Sequence, residues 1–218
     1  MSSGRSFTDA DLAAISTAVD DAEQRSAGEI VTAIVERCDA YAGALWKGGA
    51  LGAMAAAIAA SILHGVAGWW GGSIWLWLAL PAWAGAGAGY LLARIAPALQ
   101  RALVGPEVLD LRVERRAMAA FVESEVFATR NRTGVLLLVA LFEHRVEIVA
   151  DTGVEARVAH TEWQPILDRL TGGLRQGRAA QSVVAAIREI GGLLEARGVT
   201  APGADIDELP DEPSVHRE

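Results

Sequence analysis

Apolar residues are spaced in three different ways along the chain, and each spacing predicts a different element. Residues 8 to 25 repeat apolar positions at helical intervals, with Leu12, Ile15, Val19 and Ala22 on one face. Thr8 followed by Asp11 resembles a capping box with Asp in place of Glu. Ser26-Ala27-Gly28 breaks that helix. EIVTAIVERC, residues 29 to 38, is rich in β-branched residues and predicts a strand. Further on, Val135 to Leu141 is an uninterrupted apolar run, as in a central strand covered on both faces. Glu143-His144-Arg145 predicts a turn, and Val146, Ile148 and Ala150 then alternate towards Asp151-Thr152-Gly153, completing a β-hairpin. Two helical faces follow, one on Trp163, Leu167, Leu170 and Leu174, the other on Val183, Val184, Ile187, Ile190 and Leu194, stopped at Gly198.

The third spacing is no periodicity at all. From Gly48 to Ala93 there is no Asp, Glu, Lys or Arg, and His64 is the one histidine. Two spans, about 48–66 and 74–93, separate around residues 67 to 73, where Gly71 and Gly72 predict a turn. Each is close to the roughly 20 apolar residues that cross a bilayer. Trp46, Trp69, Trp70, Trp75 and Trp77 cluster at the ends, where indole rings favour the membrane interface. Gly48 and Gly52 share a face of the first span, as do Gly85 and Gly89 of the second. Such faces let backbones approach, either span to span or between two copies of the chain. Pro81 is expected to kink the second span. Arg37, Lys47, Arg94 and Arg101 flank the outer ends and the turn has no basic residue. Positive-inside asymmetry then places both termini and the flanking domain in the cytoplasm, in a bacterial-type inner membrane.

A charged helix is expected from about Pro106 to Thr129, with Val113, Ala117, Phe121 and Ala128 as its stripe. Its opposite charges nearly cancel between Glu107 and Arg116, so its outer face reads as solvated rather than lipid-binding. The tail from Thr200 is acidic and Pro-rich and is expected to be disordered. The organisation is therefore residues 8–43 and 98–199 as two parts of one α/β domain, 44–97 as an inserted membrane hairpin, and 200–218 as tail. The pieces flanking the hairpin are too small to fold separately, and two spans return the chain to its starting side.

A net charge of −8 argues against nucleic acid, whose phosphates require a basic face. One cysteine, Cys38, excludes an intrachain disulfide and reads as structural. MSSGRSFTDADL lacks a basic segment leading into an apolar one, so no cleavable signal is expected. There is no Gly-x-Ser-x-Gly, P-loop or Gly-x-Gly-x-x-Gly, and the four histidines lack metal-ligand spacing.

The opening helix with Ser26-Ala27-Gly28-Glu29-Ile30-Val31, the stretch GVLLLVALFEHRVEIVADTGVE at 134–155, and the final helices, in that order and spacing, resemble the TPM domain family. The resemblance covers most of residues 8 to 197 apart from the hairpin. It implies a small α/β sandwich with a sheet between helices, into which the transmembrane hairpin read above is inserted after the first strand. It also implies calcium at acidic loops in some members, weak acid phosphatase activity in at least one, and non-catalytic accessory roles in others. Asp151 and Glu155 are the candidate metal ligands, with His160 as a neighbouring polar group. The family's Asp-Asn-Gly before the central strand is Arg132-Thr133-Gly134 here, and an arginine there works against a cation. Asp151 alone also reads as a turn residue accepting backbone N–H bonds, and Thr161 as a helix cap beside His160. Two functions follow: a non-catalytic interaction or accessory module on the lipid bilayer, partnered by another membrane protein or by itself, or a weak calcium-dependent acid phosphatase.

Overall fold

A computed structural model describes residues 7–26, 28–67, 73–199 and 213–216. It divides into two compact units, Asp39–Asp110 and the remainder.

The remainder is a three-layer α/β sandwich. Helix α1 (Asp9–Glu23) opens with the expected box: the Thr8 backbone N–H donates to Asp11 Oδ2 at 2.9 Å, and the Asp11 N–H to Thr8 Oγ1 at 3.2 Å. Strand β1 (Glu29–Val35) lies parallel to β2 (Gly134–Ala140), with Glu29 opposite Gly134 and Val35 opposite Ala140. A parallel pair needs a long crossover, and the apolar hairpin is inserted within that connection. Strand β3 (Arg145–Ala150) pairs antiparallel to β2.

Every residue of β2 is buried because both sheet faces are covered. Val135, Leu137 and Val139 meet helices α1, α7 (His160–Arg175) and α8 (Ala179–Ala196). Leu136, Leu138 and Ala140 face the opposite way, onto Val113, Ala117 and Ala120 of α5 (Pro106–Glu123). The strand period of two sends alternate side chains into two cores, which is why the run shows no polar alternation. Each fully buried Leu or Val there contributes roughly 1.5–3 kcal/mol.

Three expectations are corrected. Helix α5 ends at Glu123, and Val126–Ala128 is a 3-10 turn that leaves Ala128 exposed. The buried stripe of α5 is Leu109, Val113, Ala117 and Ala120, with Phe121 half-buried. The tail is not uniformly without structure: Ser214–His216 form strand β4, parallel to β1, giving the sheet order β3-β2-β1-β4. Residues 200–212 lie outside the described residues.

The second unit holds helices α2 (Ala42–Ala67) and α3 (Ile74–Ile95), followed by α4 (Pro97–Val104). Both long helices are long and apolar enough to cross a membrane, over Ala42–Val66 and Trp75–Ile95. Only 6% of each apolar window is buried within the protein, unlike a soluble core helix. Trp83, Val66 and Leu63 point outward at 78%, 84% and 68% exposure. Pro81 lies inside α3, and the helix is unbroken across it.

The glycines pack helix on helix. A Cβ added at Gly52 would lie 2.1 Å from the Gly85 carbonyl oxygen, and one at Gly89 would lie 2.2 Å from that of Gly48. Trp46 makes an edge contact with Tyr90 at 5.5 Å between ring centres. The small-residue faces are thus used within the hairpin, where backbones approach too closely for any side chain. Trp46, Trp75 and Trp77 are exposed, and Trp69 and Trp70 lie outside the described residues.

Candidate functional site

The Asp-Thr-Gly after β3 turns directly into a one-turn helix, α6 (Thr152–Glu155), with Asp151 as its N-cap. The Asp151 N–H donates to the Gly134 carbonyl at 2.9 Å, extending the β2–β3 ladder. Its side chain is 3% exposed. Oδ1 accepts the Thr152 N–H at 2.7 Å, while Oδ2 faces Arg132 Nε at 3.1 Å. That second contact is an ion pair without hydrogen-bond alignment, since Oδ2 accepts no hydrogen bond.

The segment before β2 explains why an arginine stands there. Arg132 adopts a left-handed conformation, φ +56°, and its guanidinium also donates to the Phe127 carbonyl at 3.0 Å. The Thr133 N–H is satisfied by Thr129 Oγ1 at 2.9 Å. The Gly153 N–H donates to the Arg132 carbonyl at 2.9 Å. A Cβ at Gly153 would lie 2.3 Å from the Asn131 carbonyl oxygen and 2.6 Å from that of Arg132. The glycine of Asp-Thr-Gly is therefore demanded by the close passage of the 129–133 segment, and the aspartate by the helix start and the arginine.

Glu155 sits at the far end of α6 and is exposed, as is His160 in the first turn of α7. Among the described residues no group of three or more His, Cys, Asp or Glu could hold a metal ion. Calcium takes about six to eight oxygens. Asp151 has two, one holding a backbone N–H and the other a guanidinium. These residues do not fit a bound calcium, because a cation at Asp151 would have to displace one that the chain itself supplies.

The cap of α7 also differs from expectation. Thr161 lies inside the helix, and Glu162 reaches back to accept the Ala159 N–H at 3.0 Å. That bond, with Arg197 paired to the same carboxylate, holds the Glu162 carboxyl below its ordinary range.

At the opposite end of β2, the expected turn contains a buried acid. Glu143 is 1% exposed, and its Oε1 accepts the Cys38 N–H at 2.8 Å. The Leu141 and Phe142 N–H groups bond to the Val35 and Glu36 carbonyls, and Arg37 stacks 3.8 Å above the Phe142 ring. Cys38 itself is half-buried. No local sequence pattern marks Glu143, since its partner lies 105 residues earlier.

Residues 104–193 match the family model TPM phosphatase, described as the TPM domain. Residues 104–193 carry the TPM domain. The NMR structure of the BA42 protein from the psychrophilic bacterium Bizionia argentinensis is similar in fold, with a TM-score of 0.60 and 20% identity over 99% of this chain and all of that one. No curated protein sequence matches. The match begins near the end of α4 and runs through α5, both hairpin strands and most of α8.

Proposed function

We propose that this is an integral membrane protein that presents its TPM domain as a non-catalytic interaction or accessory module. The observation that carries the reading is the Arg132–Asp151 ion pair, with the remaining Asp151 oxygen engaged as a helix cap. An acid used in that way supports architecture rather than metal-assisted hydrolysis, which needs open coordination positions. Two exposed apolar helices support the anchor. Arg94, in the last turn of the second span, and Arg101 beyond it favour a cytoplasmic TPM domain in an inner membrane.

The test is thermal melting of detergent-purified protein in calcium and in chelator, with hydrolysis of a generic phosphomonoester followed in parallel. The module reading expects superimposable melts and no turnover above a heat-treated control. A calcium-dependent rise, lost in Asp151→Asn together with chelator-sensitive hydrolysis, would establish the phosphatase alternative instead. A ligand that binds only the native state must raise its stability.

A further inference from the structure

The outer face of α5 carries a second apolar pattern. Val108, Leu111, Met118 and Val122 are 43%, 43%, 55% and 61% exposed. With exposed Arg115 between them, their spacing is 3, 4, 3 and 4, a two-heptad a/d seam on one unbroken helix. The seam is distinct from the buried stripe of Leu109, Val113, Ala117 and Ala120. A solvated helix face has no reason to keep this period, and soluble surfaces rarely align large apolar side chains.

We infer that α5 pairs in parallel with α5 of a second copy of this chain. Charge selects that occupant. With Val108 and Leu111 as a and d, Glu107 takes a g position and Arg112 an e position. A parallel, in-register pair sets Glu107 opposite Arg112 of the other copy, and two-fold symmetry makes that attraction twice. Glu114, also at g, then lies beside Arg115 of the other copy, offsetting the cost of a charge at an a position. Antiparallel pairing would instead bring Glu114 against itself. Glu107, Asp110 and Glu114 near the seam also disfavour an anionic lipid surface. A two-heptad seam is short, but α5 is already formed by packing on the sheet core, so pairing does not have to nucleate a helix. Pairing of this kind does not depend on whether the TPM domain is catalytic, and it does not use the glycine faces, which are occupied within the hairpin.

The test uses the full chain in detergent and in lipid nanodiscs, with Cys38→Ser as background. Met118→Cys and Leu111→Cys should each oxidise to disulfide-linked dimers, while Asp110→Cys, off the seam, should stay monomeric. Glu107→Arg and Arg112→Glu should each raise the dimer dissociation constant roughly tenfold, and the two together should restore it. Met118→Glu should give a monomer that still unfolds in one cooperative transition, now independent of protein concentration, separating lost pairing from lost folding. Equal crosslinking at position 110 would overturn the proposal. So would a wild-type monomer, or a crosslink formed only when Leu111→Cys protein is mixed with Met118→Cys protein. Shielding of the Met118→Cys thiol by lipid vesicles or by the chain's own tail would overturn it as well.

Discussion

Arg132→Met, Asp151→Asn and the double variant form a cycle that isolates the ion pair at the start of β2. Asp151 is 3% exposed and Arg132 50%, at 3.1 Å. Removing one partner of a fully buried pair costs about 3–5 kcal/mol, whereas exposed pairs are worth about 0–1 kcal/mol. With one end desolvated and the other in water, the coupling should fall between, at about 1–2 kcal/mol. The Arg132 bond to the Phe127 carbonyl is lost with or without Asp151 and cancels in the cycle. The left-handed backbone at residue 132 is equally strained for Arg and Met. In Asp151→Asn the amide keeps an oxygen for the Thr152 N–H, so the cap is largely retained. In a chain of this size about 1 kcal/mol shifts the melting midpoint by about 2–4 °C. Arg132→Met should therefore melt several degrees lower, and adding it to Asp151→Asn should cost far less. Calcium should not rescue Arg132→Met, because one carboxylate offers too few oxygens. A coupling below about 0.3 kcal/mol, within ordinary non-additivity, would show that the arginine is not the partner inferred here, and rescue by calcium would refute the substitution of one cation for another.

Gly52→Leu should open the α2–α3 packing at a cost of about 1–3 kcal/mol, read as a lower melting midpoint by tryptophan fluorescence. Gly65→Leu, where an added Cβ meets nothing within 4 Å, should leave it unchanged. Thr32 Oγ1 is buried without a hydrogen bond, so Thr32→Val should stabilise by about 0.5–1 kcal/mol in chemical denaturation. The Glu162 carboxyl is held down first by the Ala159 N–H and then by Arg197. Its stabilisation is complete above the ordinary carboxylate range and is lost as pH falls through the lowered folded-state value, so Glu162→Gln should flatten the acid side of a stability profile. An unchanged acid limb would contradict that assignment.

The strands, the capping box and the apolar hairpin were legible in the sequence because each depends on neighbours within one turn or one strand period. A charge-free run can have few structural homes, and a run of seven apolar residues announces a strand covered on both faces. Arg132 in place of an acid already spoke against a cation, since charge is local information. Other features required partners brought from far along the chain. Glu143 reads as a turn residue until the loop after β1 closes over it, and Gly153 as an ordinary turn glycine until the Asn131 and Arg132 carbonyls pass within reach of its missing Cβ. Ser214–His216 carries no strand signal of its own and becomes one by finding the open edge of β1. The two faces of α5 differ most instructively: the sequence reads one stripe and a solvated outer face, whereas packing on the sheet buries Val113, Ala117 and Ala120 and leaves Leu111, Met118 and Val122 exposed. Local periodicity determined which elements this protein has. Tertiary contact, by desolvating some polar groups and pairing others, decided which of its acids are structural.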